Sequence, residues 1–167
     1  EGYSVEDLCI DGRGRVINQQ YIENHKGPYP VYSSQTTNDG IFGSIDTFDF
    51  DGEYITWTTD GAKAGTVFYR NGKFNCTNVC GTLKAKNDKV NMRYLAYLLN
   101  RIAYKFVRRV GNNKLMNDAM KKIVVHDPKR QLQDEFADFV QSVEKSKFEC
   151  IGKKEKFEIE KYTFVYL

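Results

Sequence analysis

The stretch that most constrains the fold is residues 55–83, in which short runs of β-branched and aromatic residues alternate with turn sequences. Two turn sequences divide it, Thr-Thr-Asp-Gly at 58–61 and Arg-Asn-Gly-Lys at 70–73. Runs separated by Gly and Asn-Gly in this way are typical of successive antiparallel strands. The stretch therefore predicts a β-meander whose turns carry hydrogen-bonding side chains, held where a rigid scaffold can present them to a ligand.

The rest of the chain predicts an α+β fold. Prolines 28 and 30 exclude a helix from the turn-rich segment 27–45, and a turn is predicted at 11–15. From Asn91, a suitable N-cap, apolar residues recur at helical spacing as far as Phe106 and Val110, with Gly111 as the stop. A short strand follows at 123–125, and a second, long helix begins at Gln131.

Length and composition are those of a soluble, single-domain protein. The 167 residues are 41% hydrophobic and 28% charged, with 11 Tyr and 11 Phe, which suits a sheet-rich fold. The sequence shows neither a transmembrane segment nor a signal peptide, so we expect a cytoplasmic location. The four cysteines are few and unevenly spaced, which favours reduced, packed thiols over a disulfide framework or a zinc site.

The charge is unevenly distributed although the net charge is only +3. Residues 39–60 carry six acidic side chains and no Lys or Arg, whereas residues 101–130 carry nine Lys or Arg against two Asp. A basic side of this kind suits contact with a polyanion, and a merely solvated basic helix face is the alternative.

No motif for catalysis is present. The sequence contains no HExxH, GxSxG, P-loop or GxGxxG pattern, and neither His25 nor His126 has a partner at metal-ligand or triad spacing. Asp60 with Lys63 is the best available guess at a metal-dependent nuclease site. We therefore expect a protein that is not an enzyme and needs no cofactor or metal of its own.

Three segments, 27–46, 51–83 and 123–140, resemble a target recognition domain of the DNA-specificity (S) subunit of type I restriction-modification enzymes. The strongest matches are TTDGAKAGTVFYR, NCTNVCGTL and a proline followed by a Gln-led helix. The resemblance covers about residues 3–148. It implies a β-rich recognition domain followed by a long helix of coiled-coil type, and sequence-specific binding of double-stranded DNA without catalysis. It also implies methyltransferase subunits, which use S-adenosylmethionine, and restriction subunits as partners.

The chain departs from the family pattern in three ways. It has one recognition domain where a full subunit has two, a single proline before the long helix, and a tail after Glu149 that abandons the helical pattern. We expect a recognition domain at 1–128, a docking helix at 129–150 and an atypical tail at 151–167. One domain reads one half of a bipartite site, so pairing with a second copy or a second recognition domain through the helix is expected.

Candidate site residues follow from side-chain chemistry, because amides and hydroxyls suit base edges and cations suit phosphates. The base-edge or groove candidates are Ser34, Gln35, Thr36, Asn38, Lys63, Asn112 and Asn113. The phosphate candidates are Arg13, Arg15, Arg70, Lys73, Arg101, Lys105, Arg108, Arg109 and Lys114. The partner-docking candidates are Leu132, Phe136, Phe139 and Val143.

Two other functions are consistent with parts of the sequence. A carbohydrate-binding β-rich module would use aromatic residues, namely Tyr29, Tyr32, Trp57 and Tyr69. A small metal-dependent nuclease would use the carboxylates of residues 46–60. The bases recognised, the half-site spacing and the oligomeric state do not follow from the sequence.

Overall fold

The computed structural model describes residues 2–126 and 129–152, with side chains as far as residue 147. The strands are β1 (Gly2–Ser4), β2 (Cys9–Arg13), β3 (Lys26–Tyr32), β4 (Ile41–Ile45), β5 (Phe50–Thr58), β6 (Val67–Cys76), β7 (Cys80–Ala85) and β8 (Val124–His126). The helices are α1 (Val5–Leu8), α2 (Gln19–Asn24), α3 (Met92–Ile102), α4 (Asn117–Met120) and α5 (Arg130–Gly152), with 3-10 turns at Asn38–Gly40 and Ala103–Phe106. The predicted α+β architecture, a β-rich domain followed by a long helix, is confirmed. Helix α5 includes residues 151 and 152, the first two of the tail predicted at 151–167; the rest of that tail and the Asp127-Pro128 break lie outside the described residues.

The main sheet has six strands in the order β2-β7-β5-β6-β3-β4. Neighbouring strands are antiparallel except β3 and β6, which run parallel. At its centre, β5 and β6 pair without a register shift from Phe50↔Phe74 to Trp57↔Val67. A separate two-stranded sheet pairs β1 with β8, so the beginning of the described chain is tied to the segment that leads towards α5.

The main sheet curls so strongly that the end of β6 returns to the start of β7 through three residues. The Sγ atoms of Cys76 and Cys80 lie 3.3 Å apart. Just beyond edge strand β2, Gly14 and Arg15 donate backbone N–H bonds of 3.1 Å to the carbonyls of Cys80 and Cys76. A Cβ atom at Gly14 would lie 2.1 Å from the Cys76 carbonyl oxygen, so only glycine permits this closure of the sheet.

The main core lies between the sheet and α3. Ile55, Trp57 and Leu83 from the sheet pack with Leu95 and Leu99 from the helix, and all five side chains are fully buried. Burial of a side chain of this size stabilises the fold by roughly 1.5–3 kcal/mol. The Trp57 indole also donates a 2.8 Å hydrogen bond to a backbone carbonyl, that of residue 115, so its one polar atom is satisfied.

Three predicted turn regions belong instead to strands. Residues 70–73 continue β6, because Gly72 faces Gly52 across the ladder and both adopt a φ above +100°, which glycine tolerates. Residues 11–13 pair with β7. Segment 27–45 contains β3 and β4, and its prolines lie outside the two-residue ladder with β6. In each case strand pairing outweighs the local preference for a turn.

Helix α3 begins as predicted and ends earlier than predicted. The Asn91 side chain accepts hydrogen bonds from the backbone N–H groups of Arg93 and Tyr94, which confirms the N-cap. The helix ends at Ile102 and gives way to a 3-10 turn, so Phe106 and Val110 are exposed and do not belong to its buried face. The β-branched valines and the glycine of residues 107–111 have low helix propensity, which accounts for the early end.

Candidate nucleic-acid interface

Five loops meet at one end of the curled sheet. They are residues 14–18, 33–40, 59–66, 77–79 and 103–117, and we call them the loop face. The shortest loop lies at its centre, where the Thr77 hydroxyl donates to Ser33 Oγ (2.9 Å) and the backbone of Thr77 bridges to Arg15. On the other side, the Val79 carbonyl accepts a 3.1 Å bond from the backbone N–H of Thr59. The first four loops are therefore held in fixed positions by direct hydrogen bonds.

The fifth loop is joined to the 59–66 turn. Gly61 donates its backbone N–H to the Asn113 carbonyl (3.0 Å), and Leu115 donates its own to the Thr59 carbonyl (2.9 Å). The Lys114 ammonium lies 3.2 Å from the nearer carboxylate oxygen of Asp60. The 59–66 turn thus holds the fifth loop in place.

Residues 108–114 of the fifth loop form a narrow hairpin, which we call the finger. The backbones of Arg108 and Lys114 exchange two hydrogen bonds, of 2.8 and 3.0 Å. The five residues between them form its tip, where Gly111 has a φ of +74°. Arg109 and Asn112 are exposed there.

A shallow cavity of about 210 Å³ lies between the finger and the 59–66 turn. Its polar lining consists of Lys63, Thr66, Asn100, Tyr104, Arg109 and Asn113, and its apolar lining of Ala62, Ala64, Gly65 and Val107. A cavity with cations and amides on its walls suits a polar or anionic group better than a fully apolar one.

The basic candidates fall into two groups. Those at or beside the loop face are Arg13, Arg15, Lys63, Lys105, Arg108, Arg109 and Lys114, whereas Arg70, Lys73 and Arg101 lie away from it or inside the fold. Three cations on the face are already engaged, since Arg15 pairs with Asp49 at 2.8 Å, Lys114 pairs with Asp60 at 3.2 Å, and Arg13 donates to Asn117 at 3.2 Å. Within residues 2–126 and 129–152, no ion pair involves Arg108 or Arg109.

Arg70 is a buried clamp for the 33–40 loop. Its side chain is 4% exposed and donates to the Asp39 carboxylate and to the Asp39 carbonyl, each at 2.7 Å. The guanidinium also stacks on the rings of Tyr32 and Phe68, at 3.6 and 4.4 Å from their centroids. A third donor bonds Thr56 Oγ1 at 3.2 Å. In this arrangement the cation faces the loop from inside and is not presented to solvent.

Two further cations lie away from the loop face. Lys73 is exposed on β6, with its ammonium 4.5 Å from the ring centroid of Phe48. Arg101, in the last turn of α3, donates a 3.3 Å bond to the Tyr97 hydroxyl. Neither of these contacts is made with a residue of the finger or of the 33–40 loop.

The amide and hydroxyl candidates differ in how far they are available. Asn38 and Asn112 are exposed, and Asn38 adopts a left-handed φ of +50° that Asn tolerates well. Ser34, Thr36 and Asn113 are half-buried. The Gln35 amide donates to the Ile41 carbonyl across the base of its own loop. Asn38 and Asn112 are therefore the freest of the set.

Asp60 is held as a carboxylate by its neighbours. Burial raises its pKa, but the Thr59 hydroxyl at 2.6 Å and the Lys114 ammonium outweigh this, so the net pKa lies below the usual value. The carboxylate pairs with Lys114 and not with Lys63, its partner in the nuclease alternative. In the part of the chain that the structure describes, no group of three His, Cys, Asp or Glu side chains is placed to hold a metal ion.

The carbohydrate alternative loses its central aromatic residue, because Trp57 is 0% exposed in the core. Tyr69 also donates a 2.6 Å hydrogen bond to Glu53, and Tyr32 lies under the Arg70 guanidinium. A stacking platform needs an accessible ring face, so this alternative gains no support from the structure.

Helix α5 is anchored to the domain by one face and exposes another. Gln133 is buried, and its side-chain amide oxygen Oε1 accepts a 2.8 Å hydrogen bond from the backbone N–H of Asn91. Among the docking candidates, Phe136 packs edge-on against Tyr97 of the domain, with 4.9 Å between the ring centroids. Leu132, Phe139 and Val143 remain 55%, 59% and 38% exposed. No helix among the described residues is long and apolar enough to cross a membrane.

Sequence reasoning missed the residues that hold the loops in place. Asp39, Thr77 and Asn117 each bond a loop or strand that is distant in sequence. Only the turn propensity of Asp39 and Asn117 was visible beforehand. The partners of these side chains depend on the curl of the sheet, which no local pattern encodes.

Comparisons with known proteins agree with this architecture. Solved structures of low sequence identity share the fold. The crystal structure of a type I restriction-modification S subunit from M. genitalium superposes with a TM-score of 0.72 at 14% identity, over 87% of this chain and 39% of that one. The HsdS subunit from Thermoanaerobacter tengcongensis gives 0.66 at 9% identity, over 96% and 41%.

Sequence relatives are much closer. A Mycoplasma pneumoniae protein described as the N-terminus of a putative type I specificity subunit is 48% identical over 136 residues, covering 81% of this chain and 73% of that protein. The specificity subunit of the M. pneumoniae restriction enzyme MpnII is also 48% identical, over 87% of this chain but only 44% of its own length. The chain thus spans about half the length of several relatives that it matches.

A family model covers almost the whole chain. The model of the type I restriction modification DNA specificity domain matches residues 1–161. The resemblance seen in the sequence is thereby confirmed, and the chain belongs to the type I restriction-modification DNA specificity domain family.

Proposed function

We propose that this chain binds double-stranded DNA in a sequence-specific way through its loop face. It would act as the specificity component of a type I restriction-modification system, without catalytic activity or a cofactor of its own. The observation that carries the proposal is the convergence of five hydrogen-bonded loops, with cations and amides, at one end of a rigid sheet. Cations position a duplex through its phosphates and amides read its base edges.

We propose fewer residues as DNA contacts than the sequence suggests. Arg108, Arg109, Lys63 and Lys105 serve the phosphates, with Arg13, Arg15 and Lys114 beside them. Asn38 and Asn112 serve base edges, because they are exposed. Arg70 supports the loop from inside and is not proposed as a contact.

The decisive experiment measures DNA affinity against salt concentration. Each phosphate contact contributes about −0.9 to the log–log slope. We expect the double variant Arg108→Ala/Arg109→Ala to bind all duplexes more weakly and to make the slope less negative by about 1.8. Lys73→Ala, which removes an exposed cation away from the face, is the matched control. Equal slopes for the double variant and the control would contradict the proposed orientation.

Base readout is tested separately through Asn38. Asn38→Ser keeps a small polar side chain on the loop but cannot make a bidentate contact with adenine. We expect the preference among duplexes from a random pool to change while the salt slope stays constant. An unchanged preference would remove Asn38 from the readout set.

Partners are proposed for the exposed face of α5. Leu132, Phe139 and Val143 form an apolar row of heptad spacing that suits a partner helix, from a second recognition domain or a second copy. The methyltransferase subunits, which would bring S-adenosylmethionine, and the restriction subunits would join that assembly in the cytoplasm, each domain directing them to one half of a bipartite site. Sedimentation of the Phe139→Glu variant against the parent chain tests the helix pairing, since one charge in the row should shift the mass towards a monomer.

A further inference from the structure

The tip of the finger carries an apolar side chain that the fold does not use. Val110 is 75% exposed, the highest value among the large apolar side chains in the described residues. It precedes Gly111, whose φ of +74° makes the turn. A valine is not needed to make this turn, since turn positions favour Gly, Asn, Asp and Ser.

The finger holds Val110 in a defined place. The reciprocal hydrogen bonds between Arg108 and Lys114 close the hairpin below the tip. The ion pair of Lys114 with Asp60 and the Gly61–Asn113 backbone hydrogen bond both fasten the C-terminal side of the finger to the neighbouring loop. A side chain at the tip of a loop that is already braced in this way loses little further conformational freedom on binding.

The neighbours of Val110 indicate which ligand it meets. Arg109 on one side suits phosphate, and the exposed amide of Asn112 on the other suits the N6 and N7 edge of adenine. An apolar side chain beside such an amide matches the C5-methyl group that thymine presents in the same groove. The finger consists of two adjacent chain segments joined at the tip; the major groove, roughly 12 Å wide, admits two such segments side by side, whereas the minor groove is only roughly 6 Å wide.

We propose that Val110 is a specificity-determining residue that contacts a thymine C5-methyl group in the major groove, so that the finger reads an A·T pair. The inference rests on the proposed DNA-binding function. Insertion between base steps is the competing possibility for an exposed apolar tip. Known wedges are Phe, Leu, Ile, Met and Pro, and the short valine side chain suits a surface contact with a methyl group better.

The test replaces thymine by uracil, which deletes only the methyl group. The duplex that the full chain selects from a random pool is resynthesised with deoxyuridine at one thymine at a time. We expect one position at which uracil weakens binding about fourfold, the value for burial of a single methylene-sized group. In Val110→Ala the loss at that position should fall below about twofold, again from the smaller apolar contact.

Val124→Ala is the matched control, because Val124 is 62% exposed on β8, in the separate two-stranded sheet. It should keep the full uracil penalty. Site-specific binding with no uracil penalty, or with a penalty that persists in Val110→Ala, would overturn the role of Val110 alone. An increase in 2-aminopurine fluorescence at the contacted step, without a uracil penalty, would assign insertion instead and also overturn it. Absence of DNA binding by the parent chain would overturn the proposed function itself.

Discussion

The clamp between Arg70 and Asp39 leads to an asymmetric prediction for stability. Arg70 is 4% exposed in its side chain, whereas that of Asp39 is 66% exposed. Asp39→Asn keeps the shape, the backbone carbonyl bond and the tolerance of Asn for the left-handed φ of +53°. It removes only the negative charge, and so leaves a buried cation without its counter-ion.

The size of the effect follows from the geometry. The two charge centres lie about 4 Å apart, and at an effective dielectric constant between 20 and 80 their attraction is about 1–4 kcal/mol. Because water reaches the carboxylate of Asp39, the lower half of that range applies. We expect Asp39→Asn to lower the free energy of unfolding by about 2 kcal/mol, which corresponds to about 4–8 °C in Tm for a chain of this size.

A double-mutant cycle isolates the interaction. Arg70→Met removes the buried cation and leaves Asp39 solvated, so the second substitution in Asp39→Asn/Arg70→Met should cost little, and the coupling energy should be about 2 kcal/mol. Unfolding in urea, followed by the fluorescence of the buried Trp57, measures each variant. Asp138→Asn makes the same chemical change at an exposed helix position and serves as the control.

Two results would refute this reasoning. One is a coupling energy near zero, which would mean that the exposed carboxylate does not stabilise the buried guanidinium. The other is an Asp39→Asn variant as stable as the Asp138→Asn control. Asp39→Asn should also weaken the preference among DNA duplexes, because the 33–40 loop loses the ion pair that helps to hold it.

Three further predictions concern the scaffold. Gly81→Ala should destabilise the fold by about 3 kcal/mol, measured by urea unfolding, because a Cβ atom there would lie 2.3 Å from the Trp57 ring; near-neutral stability would contradict that packing. The three described cysteines are buried, and burial raises the pKa of Cys9 to about 12, so in a Cys150→Ser background thiol reagents at pH 8 should react only as fast as the chain unfolds. The pKa of Asp60 is depressed in the folded chain. The stability that its ion pair with Lys114 contributes is therefore fully present above the ordinary pKa of 3.8 and is lost as the pH falls through the lower folded pKa. An Asp60→Asn variant should show a smaller loss of stability on acidification below pH 3.8.

The sequence predicted elements whose signals are local, and it failed where partners are distant. The Asn91 N-cap depends on neighbouring residues and is as predicted, whereas the turn predicted at 58–61 lies a few residues later, at 61–65. Residues 70–73 have turn chemistry, yet pairing with β5 along eight register positions keeps them in a strand. The role of Arg70 depended on that outcome, because a residue in a turn would be exposed and a residue within β6 is buried.

The site shows the same division. Exposure of Asn38 and Asn112 was accessible from turn propensity, and exposure of the finger arginines from their charge, since turns and Arg side chains lie mostly on the surface. The convergence of the five loops was not, because it requires the curl that brings Cys76 against Cys80 and Gly14 against both strand ends. Charge alone could not separate Arg70 from Arg108, although one is buried and the other exposed.

The way the loops are attached explains how one scaffold can hold them while their tips differ in chemistry. The joints at Thr59, Gly61 and Leu115 use backbone N–H and carbonyl groups, so substitution of an exposed tip side chain leaves them intact. Exposed substitutions such as Asn112→Ser should therefore change stability by no more than about 0.5 kcal/mol, even where they change the DNA sequence that is bound. Substitutions at a side-chain anchor such as Asp39 should alter stability and binding together. Measuring stability and DNA binding for both kinds of variant separates residues that contact DNA from residues that hold the loops in place. A tip variant that unfolds as readily as an anchor variant would show that the loops depend on their own side chains.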